Sequence, residues 1–332
     1  MQIKDSFGNE LPKDAMIIRH TEIPEFRNCP RKWFFESHNA LNLEPKLNNH
    51  NLRFGSCWHK AMEYYYSGRD PVEGFNEEFA DQEADIFSAI GPGMYEEEFY
   101  SKLKEEKELG HALLEIYPEW STTQATPTDK EFEVISAEDR ILVPLLDEKG
   151  NLTDVWLAAK LDTLVDKDSC LYILEHKTRG KSTSVQDSTM LPMDLQMGIQ
   201  LLVLWDYSEK LTGNRKLNGA FYNLARKQKP TSRVKSPIFA RHEVIRTPKE
   251  LEFLRRDVYY DYFEMVHTKK LFMEYDVFPR PNQQMFGKCS WGCAFTSICE
   301  GISKGEHVAS EIKRDFQERE KTIWEILKEE ME

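Results

Sequence analysis

The sequence predicts a mixed α/β fold with a central sheet flanked by helices, on three observations. Apolar residues recur at helical spacing through most of the first third of the chain. Extended apolar runs divided by short turns then cover residues 132–178. After them a helical stretch and one further strand alternate before helices return. Element by element, residues 21–41 read as helical with a break near Pro30, because proline drives the preceding residue out of helix. "LRFGSCWHKAMEYYYS" (52–67) reads as a second helix, and the acidic stretch to about Tyr117 as further helix interrupted at Gly91-Pro92-Gly93. "FEVIS" (132–136), "RILVPLL" (140–146), "VWLAAKLDTLV" (155–165) and "CLYILEHKT" (170–178) read as strands. A helix covers about 190–211, "LNGAFYNLAR" (217–226) is another strand, and the remainder is helical to about Lys270. A Pro- and Cys-rich loop and a charged helix from about Glu306 close the chain.

Composition narrows the function classes. The 332 residues can bury a substantial core, and no apolar run has the length that crosses a bilayer. The opening Met1-Gln2-Ile3-Lys4-Asp5 lacks the pattern of a secretory signal, which predicts a cytoplasmic protein with no membrane partner. Six cysteines without an export signal argue against a disulfide scaffold. A formal charge of −13 argues against a simple basic nucleic-acid binder. Yet Lys210 to Arg241 carries nine Lys or Arg and no acid, whereas Asp70 to Gly110 carries thirteen acids against three lysines. The basic stretch is either a solvated surface or a local groove for a polyanion, since the local field steers a substrate.

The central hairpin carries the chemistry. Side chains alternate across a strand, so Glu175 and Lys177 share a face. A two-residue turn at Asp168-Ser169 pairs position 162 with 175, and a four-residue turn pairs it with 173. Either register puts Asp162 on the face of Glu175 and Lys177. Carboxylates of this kind hold Mg2+ or Mn2+, which polarises a phosphodiester and activates water, and an adjacent lysine stabilises the developing charge. The plain alternative is a salt-bridged surface hairpin. The nearby Gly180-Lys181-Ser182-Thr183 only imitates a phosphate-binding loop, because Glu175 stands where such a loop requires glycine. "GSCWHKAME" sets His59 and Glu63 one helical turn apart, and "DLQMGIQLLVLW" does the same for Gln196 and Gln200. Each pair is either functional or an ordinary satisfied polar pair.

Cys289, Cys293 and Cys299 form a ligand cluster that needs a fourth thiolate. Cys170 begins the central strand and Cys57 lies mid-helix, so both read as packing. Cys29, at a helix end before proline, can project, and choosing it ties the two ends of the chain together. Spacing alone favours zinc.

In order along the chain, "EFRNCPRKWFF", "GSCWHKAME", "KLDTLV", "ILEHK", "LQMGIQLLVLW" and "CSWGCAFTSICEG" resemble the RecB-like branch of the PD-(D/E)xK nuclease superfamily. The chain is most similar to its iron–sulfur members: the AddB nuclease domain, the CRISPR-adaptation exonucleases and related phage exonucleases. The resemblance implies a restriction-endonuclease-like sheet in a single domain over 1–305, with a helical insertion at about 68–120, and a charged helix over 306–332. It implies metal ligation by His59, Asp162, Glu175 and the backbone carbonyl of His176. Lys177 would act on the water, and Gln196 would support the site, or Gln200 if that residue is the match. Cys29, Cys289, Cys293 and Cys299 would hold a [4Fe-4S] cluster, with zinc the alternative. The spacing departs from the branch in having C-x3-C for C-x2-C, and no proline precedes Asp162.

Two functions follow as expectations. The first is a Mg2+- or Mn2+-dependent DNA exonuclease acting on single-stranded or end-frayed DNA in recombination or repair, alone or with a helicase or recombination factor. The second is a non-catalytic DNA-binding or assembly subunit that keeps the fold and the cluster as a scaffold.

Overall fold

The computed structural model describes residues 3–12, 15–46, 54–90, 97–181, 183–186, 188–213, 215–231, 237–282, 289 and 293–319. Its centre is a six-stranded mixed sheet. Strand β1 (Met16–Arg19) runs parallel to β4 (Leu152–Lys167). β3 (Glu133–Leu146) and β5 (Cys170–Arg179) both run antiparallel to β4. β6 (Lys216–Arg226) lies parallel to β5, and β7 (Phe239–Val244) antiparallel to β6. A small second sheet pairs β2 (Leu43–Pro45) with β8 (Phe316–Glu318), bringing the two ends of the described chain side by side.

Helices cover both faces of the large sheet. On one, α3 (Phe54–Tyr66), α4 (Pro71–Ile90) and α5 (Glu97–Thr123) pack Trp58, Phe75, Leu113 and Tyr117 against Val165, Tyr172, Leu174 and Phe221. On the other lie α1 (Glu22–Asn28), α2 (Pro30–Glu36), α6 (Leu195–Asp206) and α8 (Pro248–Tyr275), beyond the short α7 (Ser208–Thr212). They bury Phe26, Trp33, Ile199, Leu202 and Val258 against Leu161, Leu171 and Ile173. Each such side chain contributes about 1.5–3 kcal/mol on leaving water. Two further short helices, α9 (Thr296–Ser303) and α10 (Ala309–Asp315), precede β8.

Local chemistry sets the element ends. Cys29 is extended (φ −158°, ψ 101°) between α1 and α2, as Pro30 requires. The β4–β5 turn takes two residues: Lys167 pairs with Cys170, while Asp168 and Ser169 adopt φ of 56° and 63°. That is the left-handed pair of a tight hairpin turn whose twist matches the strands it joins. Asp194 caps α6 by accepting from the Gln196 and Met197 N–H groups at 2.9 and 3.4 Å.

Several sequence expectations are corrected. The runs at 132–136 and 140–146 are one continuous strand, β3, in which Glu138 carries a φ of 58°. The stretch expected to be helical before Lys270 contains β7, where Phe239 and Val244 are buried beside β6. β1 was not foreseen, since four residues are too few to show a period. The charged helix from Glu306 is a seven-residue helix followed by a strand, and residues 320–332 lie outside the described residues.

Candidate active site

The site occupies an opening in the sheet. β3 covers one edge of β4 for most of its length, while β1 and β5 share the other edge. β1 pairs only with Val155–Ala158 and β5 only from Thr163 onward. Among the described residues, Ala159 to Asp162 therefore have no strand beside them on that edge. Side chains satisfy the freed backbone instead, as buried peptide groups demand. Gln200 Nε2 donates to the Lys160 carbonyl at 2.8 Å, and the His176 N–H donates to Asp162 Oδ2 at 2.8 Å.

Around this opening four elements converge. The β4–β5 register, continued one step past Thr163–Leu174, sets Asp162 opposite Glu175. Lys177 Nζ lies 2.5 Å from Glu175 Oε1. His59, from the middle of α3, places Nδ1 3.1 Å from Asp162 Oδ2. From the other face α6 sends Gln200, whose Nε2 is 3.4 Å from Glu175 Oε2. Lys177 and Glu175 thus share the face predicted from strand alternation.

The electrostatics follow from burial. Glu175 is 1% exposed, and burial first, then the charge of Asp162, pushes its carboxyl up to about 7 against the pull of Lys177. Burial would raise Asp162 as well, but the His59 ring and the His176 N–H hold it well below the usual carboxylate range. His59 is raised, because the Asp162 and Glu175 charges outweigh its burial, and Lys177 is raised for the same reason. The His176 ring points into the opposite core 5.2 Å from the Tyr66 ring, where burial lowers it to about 3.

One expected residue needs correction, and one of the two readings of the basic stretch falls away. The glutamine at the carboxylates is Gln200, buried one helical turn beyond Gln196; Gln196 gives its backbone N–H to the Asp194 cap. The basic stretch is not one groove. Arg241 is buried, Lys210 lies over the Phe7 ring and Arg215 faces Asp166. Only Arg226, Lys227 and Lys229 follow the end of β6 that pairs with Arg179 near the site, and Arg233 and Lys235 lie outside the described residues. One carboxylate escaped the sequence reading altogether. Glu138 sits on β3 between Ala137 and Asp139, which pair with Thr163 and Leu161, and therefore lies across from Asp162. Ligand atoms of His59, Glu138 and Asp162 all lie within 4.8 Å of one another.

This donor set fits a hard divalent cation. It offers carboxylate oxygens and an imidazole beside a Gln200 Oε1 that is buried with no partner among the described residues. The buried charge of Glu175 also predicts a stability effect. The carboxyl ionises near 4.5 when unfolded and near 7 when folded, so in metal-free protein the folded state loses stability as pH rises through that window. Above about pH 7 the loss is complete. Glu175→Gln should therefore raise the metal-free thermal midpoint at pH 8, by about 1–3 kcal/mol in stability. Adding Mn2+ should stabilise the parent and leave the variant behind. A variant that melts lower than the parent in metal-free buffer would refute this account of Glu175.

Cys29, Cys289, Cys293 and Cys299 line one cavity of about 510 Å³ with Phe35 and Phe295. Arg31 fastens the two chain ends there, donating to Pro279 O at 2.7 Å, Cys299 O at 3.2 Å and Cys299 Sγ at 3.3 Å. Burial raises the Cys293 thiol. Cys57 is buried in the α3 core, and Cys170 sits at the start of β5.

A mixed sheet that opens onto two strand carboxylates and a lysine suits a nuclease. The chain belongs to the PD-(D/E)XK nuclease superfamily, whose model matches residues 20–300. That span includes every residue of the site and all four clustered cysteines. Among solved structures, one similar protein is a candidate exonuclease from Eubacterium rectale, at 12% identity over 83% of this chain and 87% of that one, with a TM-score of 0.44. Another is SSO0001, at 13% identity over 87% and 88%, with a TM-score of 0.36. No curated protein matches the sequence. No helix of the described residues is long and apolar enough to cross a membrane.

Proposed function

We propose that this nuclease is a Mg2+- or Mn2+-dependent DNA exonuclease that shortens single-stranded or frayed ends. The observation that carries the reading is the convergence of His59, Asp162, Glu175 and Lys177 on the opening of the sheet. His59, Asp162, Glu175 and the His176 carbonyl would hold the cation, which supplies charge to polarise a phosphodiester and lowers the pKa of the attacking water. Lys177, held charged and half-buried, orients that water and offsets charge developing on the phosphate. Gln200 fixes the Glu175 carboxylate and the Lys160 carbonyl, so the acid cannot turn away from the opening. Arg179, Arg226 and Lys227 lie at the same end of the sheet and suit a DNA backbone.

Cys29, Cys289, Cys293 and Cys299 would hold a structural [4Fe-4S] cluster that locks the chain ends within one nuclease unit over 1–305. The N–H donors Arg31 and Asn282, within 3.3 and 3.4 Å of Cys299 and Cys29 sulfurs, suit thiolate ligands.

One preparation tests both parts. Protein purified without oxygen should show the broad visible absorption of an iron–sulfur cluster and an iron content matching one cluster per chain. With Mn2+ or Mg2+ it should convert end-labelled single strands to short products from the labelled end, and with chelator it should not. Intact substrate in every metal condition would reject the enzyme reading, and zinc in place of iron would reject the cluster.

A further inference from the structure

We infer that Glu138 is a further metal-holding residue of this site, its carboxylate joining His59 and Asp162 as ligands of a divalent cation. The inference rests on the metal-dependent reading proposed above.

Glu138 comes from a third strand, outside the hairpin that carries the other acids, yet the β3–β4 register sets it across from Asp162. Ligand atoms on His59, Glu138 and Asp162 lie within 4.8 Å of one another. Donors on opposite sides of one Mg2+ are about 4.2 Å apart, twice the metal–oxygen bond. A small side-chain adjustment brings all three onto one ion.

Two carboxylates directly opposite on neighbouring strands repel. Glu138 has a side chain only 11% exposed, and its backbone takes a left-handed φ of 58° that acidic residues in strands rarely adopt. Its described partner, the Lys160 ammonium, is 46% exposed. An ion pair with one arm in water contributes little, so it does not account for holding a second acid against Asp162. A cation between them does. Lys160 then competes with the ion for Glu138.

The test is Mn2+ binding by the full chain without DNA, followed by calorimetry and by electron paramagnetic resonance of the free ion. Glu138→Gln should weaken Mn2+ binding about tenfold or more. Lys160→Met should leave it unchanged or tighter. Glu138→Gly removes the carboxylate while accepting the left-handed backbone, so it should fold at least as well as the parent and still bind Mn2+ more weakly. Both Glu138 variants binding within twofold of the parent, while Asp162→Asn loses binding, would overturn the role of Glu138 and leave the site intact. Lys160→Met weakening binding as much as Glu138→Gln would overturn it too, by showing that the ion pair is what matters. Asp162→Asn binding Mn2+ like the parent would instead overturn the metal site itself.

Discussion

Lys177→Ala is expected to lower metal-dependent DNA cleavage by about 10²–10³-fold while the protein stays folded, the range found for removing one charge-stabilising donor from a transition state. The ammonium sits 2.5 Å from Glu175 at the rim of the opening, and the Glu175 and Asp162 charges keep it protonated despite burial. Its removal deletes a positive charge where the phosphate becomes more negative. The fold should tolerate the change, because Glu175 already ionises only near neutral pH and can take up a proton when its partner leaves. Mn2+ binding should persist, since Lys177 is not a ligand and its charge opposes the cation. The measurement is the single-turnover rate on an end-labelled strand at saturating Mn2+, with circular dichroism as the control for folding. Parental rates from the alanine variant would remove Lys177 from the mechanism.

How much of this site the sequence discloses depends on how locally each residue is determined. Asp162, Glu175 and Lys177 belong to one hairpin, and strand alternation with an even turn determines their relation whatever the register. Cys29 is equally local, because Pro30 alone makes it extended. His59 is visible as a polar residue on a regularly patterned helix. Gln200 is harder: α6 is buried on nearly every side from Met197 to Leu204, so its periodicity cannot say which of two glutamines a turn apart meets the sheet. Glu138 was hidden because Ala137-Glu138-Asp139 has the composition of a turn between two apolar runs, and only pairing along β4 keeps the strand going through it. The basic stretch misled for a related reason. Charge counted along the sequence ignores that β6 runs from Lys216 to Arg226, which separates the basic residues at its two ends, and that Arg241 lies buried on the neighbouring β7.

That buried residue, Arg241, gives the largest stability effect expected away from the site. Its side chain is fully buried on β7, where Nε donates to Asn223 Oδ1 at 2.7 Å, Nη1 to Pro127 O at 2.5 Å and Nη2 to Asp129 Oδ1 at 2.6 Å. Asp129 also accepts from the Tyr66 hydroxyl at 3.1 Å, and Asn223 donates to the Tyr117 hydroxyl at 2.9 Å. The network joins the α3 and α5 ends to the sheet directly behind His176. Arg241→Met keeps the volume but leaves the Asp129 carboxylate without a cation and two acceptors without donors. Removing one partner of a buried ion pair costs about 3–5 kcal/mol. Adding Asp129→Asn removes the stranded charge, so the double variant should recover a large part of the loss, which urea unfolding of the four proteins measures directly. A purely additive cycle would mean that the pair is not coupled. The same cycle separates structure from catalysis: the hydrogen bonds and ion pair of Arg241 among the described residues go to Asn223, Pro127 and Asp129, so Arg241→Met, assayed well below its unfolding midpoint, should cleave DNA at close to the parental rate per folded molecule. A loss of cleavage that exceeds the loss of folded protein would mean that the network also sets the position of the Glu175–Lys177 strand.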